Sequence, residues 1–387
     1  MHPALADFLA HRGDPLAAVR AAPPSAQSRI IEASLLLCSR YPRDFAEAGR
    51  VYLHLRDLDV TAEEEMHLRA IGAAVHGDYA AGARIYDEVL AQAPLDALAL
   101  TVAQVFDYYL GNPRSQLART TRALKAWRAG MPGYHAVLSL HAYALQECGD
   151  YEAAEEAAQR ALALQPWDVR AHHAMAHVME MQGRFEEGIR WMGRRSGLWS
   201  AAGVASTHLW WHIALYHVEL GRLAHALAIY EHRIQGGALS ELIDASALLW
   251  RLHLAGADVA SRCRALAARW APHAEDGHCA FNDLHAMMAF VAGGRSDCAT
   301  RLLAALERRL AAPWGANHDM TRLVGLPACR ALEAFGRGEF DAAERMLRGL
   351  PPVAHRIGGS HAQRDVLHLT RSAAALRKGA RSFLRAA

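Results

Sequence analysis

Two stretches of this chain carry paired histidines at helical spacing. RAHHAMAHVMEMQG puts His173 and His177 four residues apart, and THLWWHIALYHVELG does the same for His208 and His212. On a helix, positions i and i+4 share a face. Imidazoles placed in this way can ligate a transition metal from one side, serve as general acid or base near neutrality, or simply hydrogen-bond between helices. Arg170, His173, His177 and Glu180 fall at i, i+3, i+7 and i+10 and make one stripe, in which the Glu180 carboxylate could orient a ring or join a ligand shell. His208, Trp211, His212 and Leu215 make a similar stripe on the second stretch. His172, Met175, Ala176 and Met179 take the other side of the first stretch, where they would pack against a partner helix.

Two later segments are also more polar than plain core requires. FNDLHAMMAF sets Asn282, His285 and Met288 on one side of a helix, with Asp283 on another face. RIGGSHAQRDVLHLTRSAAALR opens on Gly358-Gly359, which permits close backbone approach, and on Ser360, a natural N-cap. His361, Arg364, Asp365 and His368 then share a face. That face can equally be the solvated side of an amphipathic terminal helix.

The elements that must carry these residues form a repeat. YALQECGDYEAAEEAAQRALALQP has Gly149, Tyr151, Ala154, Ala161 and Pro166 in the small–aromatic–small–small–Pro pattern of a tetratricopeptide unit. MQGRFEEGIRWM repeats the register with Gly183, Phe185 and Gly188, and an upstream copy uses Gly77, Tyr79, Gly82 and Pro94. Turn glycines recur at 77, 111, 149, 183, 221, 256, 294 and 338. Between them Ala, Leu, Glu and Arg dominate at 3.6-residue spacing, and no alternating strand pattern appears. The spacing predicts an all-α, right-handed superhelical solenoid of helical hairpins: a cap over 1–60, repeats over 61–350 and a closing segment over 351–387, one domain overall. Breaks in regularity are expected at Ala22–Ser25, Ala311–His318 and Pro351–Ser360.

Composition narrows the partners. Of 387 residues, 52 % are hydrophobic, enough for an extended core, and the formal net charge is +2, which gives no electrostatic reason for binding nucleic acid or an anionic membrane. No apolar run approaches the ~18 residues of a membrane span, and the N-terminus lacks the apolar stretch of a secretory signal. The six cysteines are scattered without a CxxC, as expected of reduced thiols in a cytoplasmic protein. Walker, Rossmann, HExxH and GxSxG motifs are absent, so the one cofactor suggested is a divalent metal on the histidines. Trp191, Trp199, Trp210, Trp250 and Trp270 read as packing anchors.

The blocks HAMAHVMEMQGRFEEGIRWM, HLWWHIALYHVELGR, AFNDLHAMMAF and RIGGSHAQRDV, in that order, resemble the tetratricopeptide-repeat-protein-38 family. The resemblance runs from about residue 60 to the end. It implies an intracellular helical-repeat protein and carries no activity with it. His173, His177, Glu180, His208, His212, Asn282, His285, His361, Arg364 and Asp365 match its words, and these polar groups stand where packing does not need them.

The expected function is therefore a concave pocket that binds a small polar molecule or a peptide segment through His177, Glu180, Trp211, His212, Asn282, His285, His361 and Arg364. The alternative is an enzyme performing hydrolysis or isomerisation. In it His173 or His208 is the base, Asp365 or Glu180 the orienting carboxylate, and Arg364 an anion clamp. A metal would sit on His173, His177, His208 and His212. A plain protein–protein scaffold is the third reading, although the first helices carry no basic run for a peptide carboxylate. Terminal helices of a solenoid could also pair two copies.

Overall fold

The computed structural model describes residues 2–11 and 13–386, with 380–386 described by their backbone. Every regular element among them is helical, and none is a strand. The chain divides into two compact units, one ending at His212 and the other beginning at Ile213.

The first unit opens with α1 (Pro3–Ala10), α2 (Pro15–Arg20), α3 (Ala26–Leu37) and α4 (Pro42–Leu55). Pairs then follow: α5 (Ala62–Val75) with α6 (Tyr79–Gln92), α7 (Ala97–Leu110) with α8 (Pro113–Ala123), and α9 (Tyr134–Glu147) with α10 (Tyr151–Leu164). Next come α11 (Val169–Met181), α12 (Phe185–Trp199) and α13 (Val204–Glu219), whose last residues belong to the second unit. The second unit continues with α14 (Leu223–Arg233), α15 (Leu239–Leu254), α16 (Ala260–Trp270), α17 (Ala280–Ala292) and α18 (Ser296–Ala311). It ends with α19 (Gly315–Met320), α20 (Leu326–Gly336), α21 (Phe340–Arg348), α22 (His361–Arg364) and α23 (Val366–Ala386). A π-helical turn, Thr321–Gly325, joins α19 to α20. No helix among the described residues is long and apolar enough to cross a membrane.

Most helices pack on a chain neighbour, and first helices also meet the first helix of the next pair, as α9 meets both α10 and α11, and α17 meets α15, α18 and α20. All eight expected turn glycines have φ between +68° and +86°. Gly183 shows why. It follows the last turn of α11 with φ +69°, a left-handed conformation that a Cβ disfavours. Gly82 serves packing instead: a Cβ there would stand 3.0 Å from the Phe106 ring and 3.2 Å from the Ala70 carbonyl, so the small residue lets α6 press against α5 and α7. Along α10 the same role falls to Ala154, Ala157, Ala158 and Ala161, all buried.

Aspartates start several helices, among them the first helices α7 and α11. Asp96 accepts from the Ala99 N–H at 2.8 Å and Asp168 from the Ala171 N–H at 3.0 Å, each capping a first turn. Each also accepts from an imidazole on the preceding first helix: His67 Nε2 donates to Asp96 at 2.9 Å, and His135 Nδ1 donates to Asp168 at 2.6 Å. Several of the chain's histidines are thus structural, including His172, whose Nε2 donates to the Pro166 carbonyl at 2.9 Å while its ring packs on Trp191 of α12. Met175, Ala176 and Met179 are fully buried on that side, as the spacing predicts. Trp199, Trp250 and Trp270 are buried anchors, worth roughly 2–3 kcal/mol each by area. Trp191 and Trp210 stay partly accessible.

Burial would push the Asp96 carboxyl up, but the His67 hydrogen bond and charge and the helix N–H groups outweigh it and hold it below its ordinary value. A carboxylate depressed by folding stabilises above its unfolded pKa, and the contribution fades as pH falls through the folded value. Asp96→Ala is therefore expected to cost about 1–2 kcal/mol at pH 7 in urea denaturation. The gap to wild type should close as the pH drops below about 4.

Candidate functional site

Helices α11 and α13 bring the four sequence-paired histidines together. The candidate ligand atoms of His173, His177, His208 and His212 all lie within 4.8 Å of one another. Nε2 of His173 is 2.9 Å from Nε2 of His177 and 3.1 Å from Nε2 of His208. A ring nitrogen offers one in-plane proton or one in-plane lone pair, so His173 Nε2 can complete a well-directed hydrogen bond with one of these neighbours and not both. Lone pairs converging on a shared cation meet no such conflict. Four nitrogens ~2.0–2.1 Å from a tetrahedral ion stand roughly 3.4 Å apart, close to the separations found here.

The carboxylate that orients this cluster is Glu180, at the end of the same stripe on α11. His212 Nδ1 donates to Glu180 Oε2 at 2.7 Å, which fixes the ring's tautomer and turns its Nε2 lone pair to the other side. His177 and His212 are buried, while His173, His208 and Glu180 are partly accessible. Burial pushes the His173 imidazole well below its ordinary value, and the charges of His177, His208, His212 and His11 push the same way. The ring is therefore neutral at pH 7, the state in which it can ligate.

Two aromatic walls hold the rings. Tyr143 of α9 stacks on His173, with centroids 5.6 Å apart and planes 20° apart, and meets His177 edge-on. Trp211 is fully buried, stacks on His208 at 5.1 Å and 12°, and borders His212. Trp211 was expected among the site residues. Tyr143 was not, because in the sequence it merely begins a repeat word.

A second group absent from the expectation comes from the N-terminus. Arg170, first of the stripe, donates from Nε to the Leu9 carbonyl at 3.2 Å and from Nη2 to the Phe8 carbonyl at 3.1 Å. This clasps the C-terminal end of α1. His11 caps that helix at φ 55°, ψ 45°, the one non-glycine with positive φ among the described residues. Burial and the charges of Arg170 and His208 push His11 well below its ordinary value, yet it keeps accessible surface, as a side chain lining a recess does. No local pattern in the sequence signals either contact.

The remaining expected residues lie in the second unit and are joined there to one another. Asn282 and His285 are buried on α17; His285 Nδ1 donates to the Phe281 carbonyl at 2.7 Å, and its ring packs on Phe281. Gly359 lies against that same Phe281, where a Cβ would stand 2.4 Å from the ring. Ser360 caps α22 as expected, accepting from the Gln363 N–H at 3.3 Å. Helix α22 passes into α23 through Asp365, whose backbone keeps right-handed helical φ and ψ, donates to the His361 carbonyl and accepts from the Leu369 N–H, so the spacing of His361, Arg364, Asp365 and His368 is kept. His361 and His368 are exposed, while Arg364 turns back to donate to the Gly359 carbonyl instead of standing open as a clamp. Asp365 has a half-exposed side chain, 3.9 Å from Arg251. Of the two carboxylates expected to orient a ring, Glu180 is the one bonded to His212.

Arg251 is buried and donates to the Ala247 and Ala362 carbonyls at 3.1 and 2.5 Å, fastening α22 to α15. Arg251→Ala is expected to cost about 2–3 kcal/mol, because it orphans a buried carbonyl. Asp365→Asn should stay within about 0.5 kcal/mol of wild type. Equal losses in the two denaturation curves would contradict the assignment. Asp283 makes a separate test. It is 3 % exposed, no donor reaches its Oδ2, and burial, with Asp276 adding, pushes its carboxyl well above the ordinary value. Above about pH 4 the unfolded chain gains by ionising Asp283 and the folded one does not, so stability falls with rising pH. Asp283→Asn should raise the denaturation midpoint at pH 7, and the advantage should vanish near pH 3.

No protein-family model matches this chain.

Proposed function

We propose that the protein is a tetratricopeptide-like helical-repeat protein, akin to the tetratricopeptide-repeat-protein-38 family, whose helix pairs wind into a right-handed superhelix. On its inner face it binds a divalent transition-metal ion through His173, His177, His208 and His212, and through that ion a small polar molecule. The observation that carries the reading is the convergence of four imidazoles within 4.8 Å, beside a carboxylate already bonded to one of them. A set of nitrogen donors suits zinc, nickel, copper or iron, and not magnesium or calcium, which take oxygen. The partial accessibility of His173 and His208 supports entry of a ligand from one side.

The Glu180–His212 pair favours an enzymatic version of the same reading. A carboxylate-held imidazole beside a metal is the equipment of metal-assisted hydrolysis or of proton transfer. In this version three of the rings would hold the ion, His173 or His208 would stay off it as the base that meets the substrate, and Glu180 would position His212. The six free thiols suit a cytoplasmic setting.

Elemental analysis of protein purified without chelator tests the proposal. About one equivalent of a transition metal is expected, with His173→Ala and His212→Ala each near zero while far-ultraviolet circular dichroism is unchanged. Glu180→Gln should weaken the metal by about 10–100-fold. Less than about a tenth of an equivalent in the wild type, even after incubation with zinc, would sink the metal reading.

A further inference from the structure

We propose that the imidazole centre takes an oxyanion, a carboxylate or a phosphate group, and that Arg170 is the cation that holds it, with His11 beside it. The inference rests on the metal reading and specifies its ligand class.

Arg170 stands one helical turn before His173 on the same face of α11. A guanidinium has five N–H donors in a rigid fork. Two of its nitrogens, Nε and Nη2, are spent on the Leu9 and Phe8 carbonyls, which fix its plane. Nη1 has no partner among the described residues, and no carboxylate pairs with the group. The nearest acid in sequence, Asp168, is occupied by His135, Ser139 and the Ala171 N–H. Arg170 is only partly accessible, and withdrawing a guanidinium from water is costly; the charge of Asp168 offsets part of that cost without a hydrogen bond between the two. The carbonyl end of α1 offsets part of that cost, and an anion would offset the rest.

Asp168 apart, the charged neighbours carry the same sign. His11, held in its left-handed cap, brings an imidazole close enough to Arg170 and His208 for their charges to oppose one another. His173 is coupled to His11 and to the other three rings. Glu180, the acid of the cluster, sits at the far end of the stripe and is turned to His212. An oxyanion with two or more oxygens could place one on the metal and another on Nη1, the two-point recognition that a fixed arginine favours. On this inference Arg170 takes the anion-clamp role, on the same helix face as the histidines.

The test uses the full chain loaded with cobalt(II), whose visible spectrum reports on ligands reaching the ion. Inorganic phosphate and acetate are titrated separately, against sodium chloride at equal ionic strength. A saturable spectral change with phosphate or with acetate is expected, and the tighter of the two names the class. Arg170→Gln should bind cobalt stoichiometrically but hold the anion at least about tenfold more weakly. Should that variant fail to fold, Arg170→Lys, which keeps the charge but loses the fork, and His11→Ala should each weaken the anion several-fold. Cobalt uptake with no saturable anion response overturns this inference alone. Variants that fold and bind the anion like wild type also overturn it, and make Arg170 a clasp for α1 only. Failure to take up cobalt overturns the metal reading and this inference with it.

Discussion

Asp168 accepts hydrogen bonds from two helices: the Ala171 N–H of α11, whose first turn it caps, and the His135 imidazole and Ser139 hydroxyl of α9. The carboxylate is fully buried, so losing these donors would leave an uncompensated charge in the core. Their convergence sets both the start of α11 and its rotation against α9. Everything displayed along α11 depends on that register. Tyr143 can lie flat on His173 only if the two helices keep their alignment, and His173 can reach His177 and His208 only if its ring is held. Asp96 with His67 repeats the device two helix pairs earlier, between α5 and α7.

Crowding of imidazoles is tolerable because the rings can be neutral. Protonating one would place a positive charge in a partly desolvated space beside three others and within reach of His11, which is why His173 is held so far below its ordinary value. With a metal bound, lone pairs turned inward from the four rings would form an electron-rich point. Glu180 adds negative charge behind His212, and Arg170 lies at the opposite end of the stripe. A donor-rich centre with one acid and one base at its two ends suits a cation in the middle and an anion on the arginine side.

In the second unit, polar groups of similar type do different work. Arg251 ties α22 to α15, His285 caps its own helix interior through the Phe281 carbonyl, and Asp283 is stored as a neutral acid by burial. Gly359 is small because Phe281 occupies the space a Cβ would need. Gly-Gly-Ser therefore opens onto packed protein at that point. The same residue types that suggest a site on a helical wheel can be consumed by packing when a neighbouring element supplies the partner.

The local content of the sequence was enough for the helices, the turn glycines and the sharing of a face by His173, His177 and Glu180. Those features depend on backbone φ and on spacing of three and four residues, which any helix-forming segment enforces on its own. The 35-residue offset between the two histidine pairs is close to the spacing of the turn glycines, and His208 does lie beside His173. What the tertiary structure decided was which polar group meets which. Glu180 became the partner of His212, and Tyr143 became a wall. Arg170 found its carbonyls 161 and 162 residues away, at the end of α1, where His11 turns left-handed. Contacts at that separation leave no periodic trace in the chain. They arise only when packing brings two remote surfaces together, and the cost of leaving a guanidinium or a carboxylate unpaired selects among them.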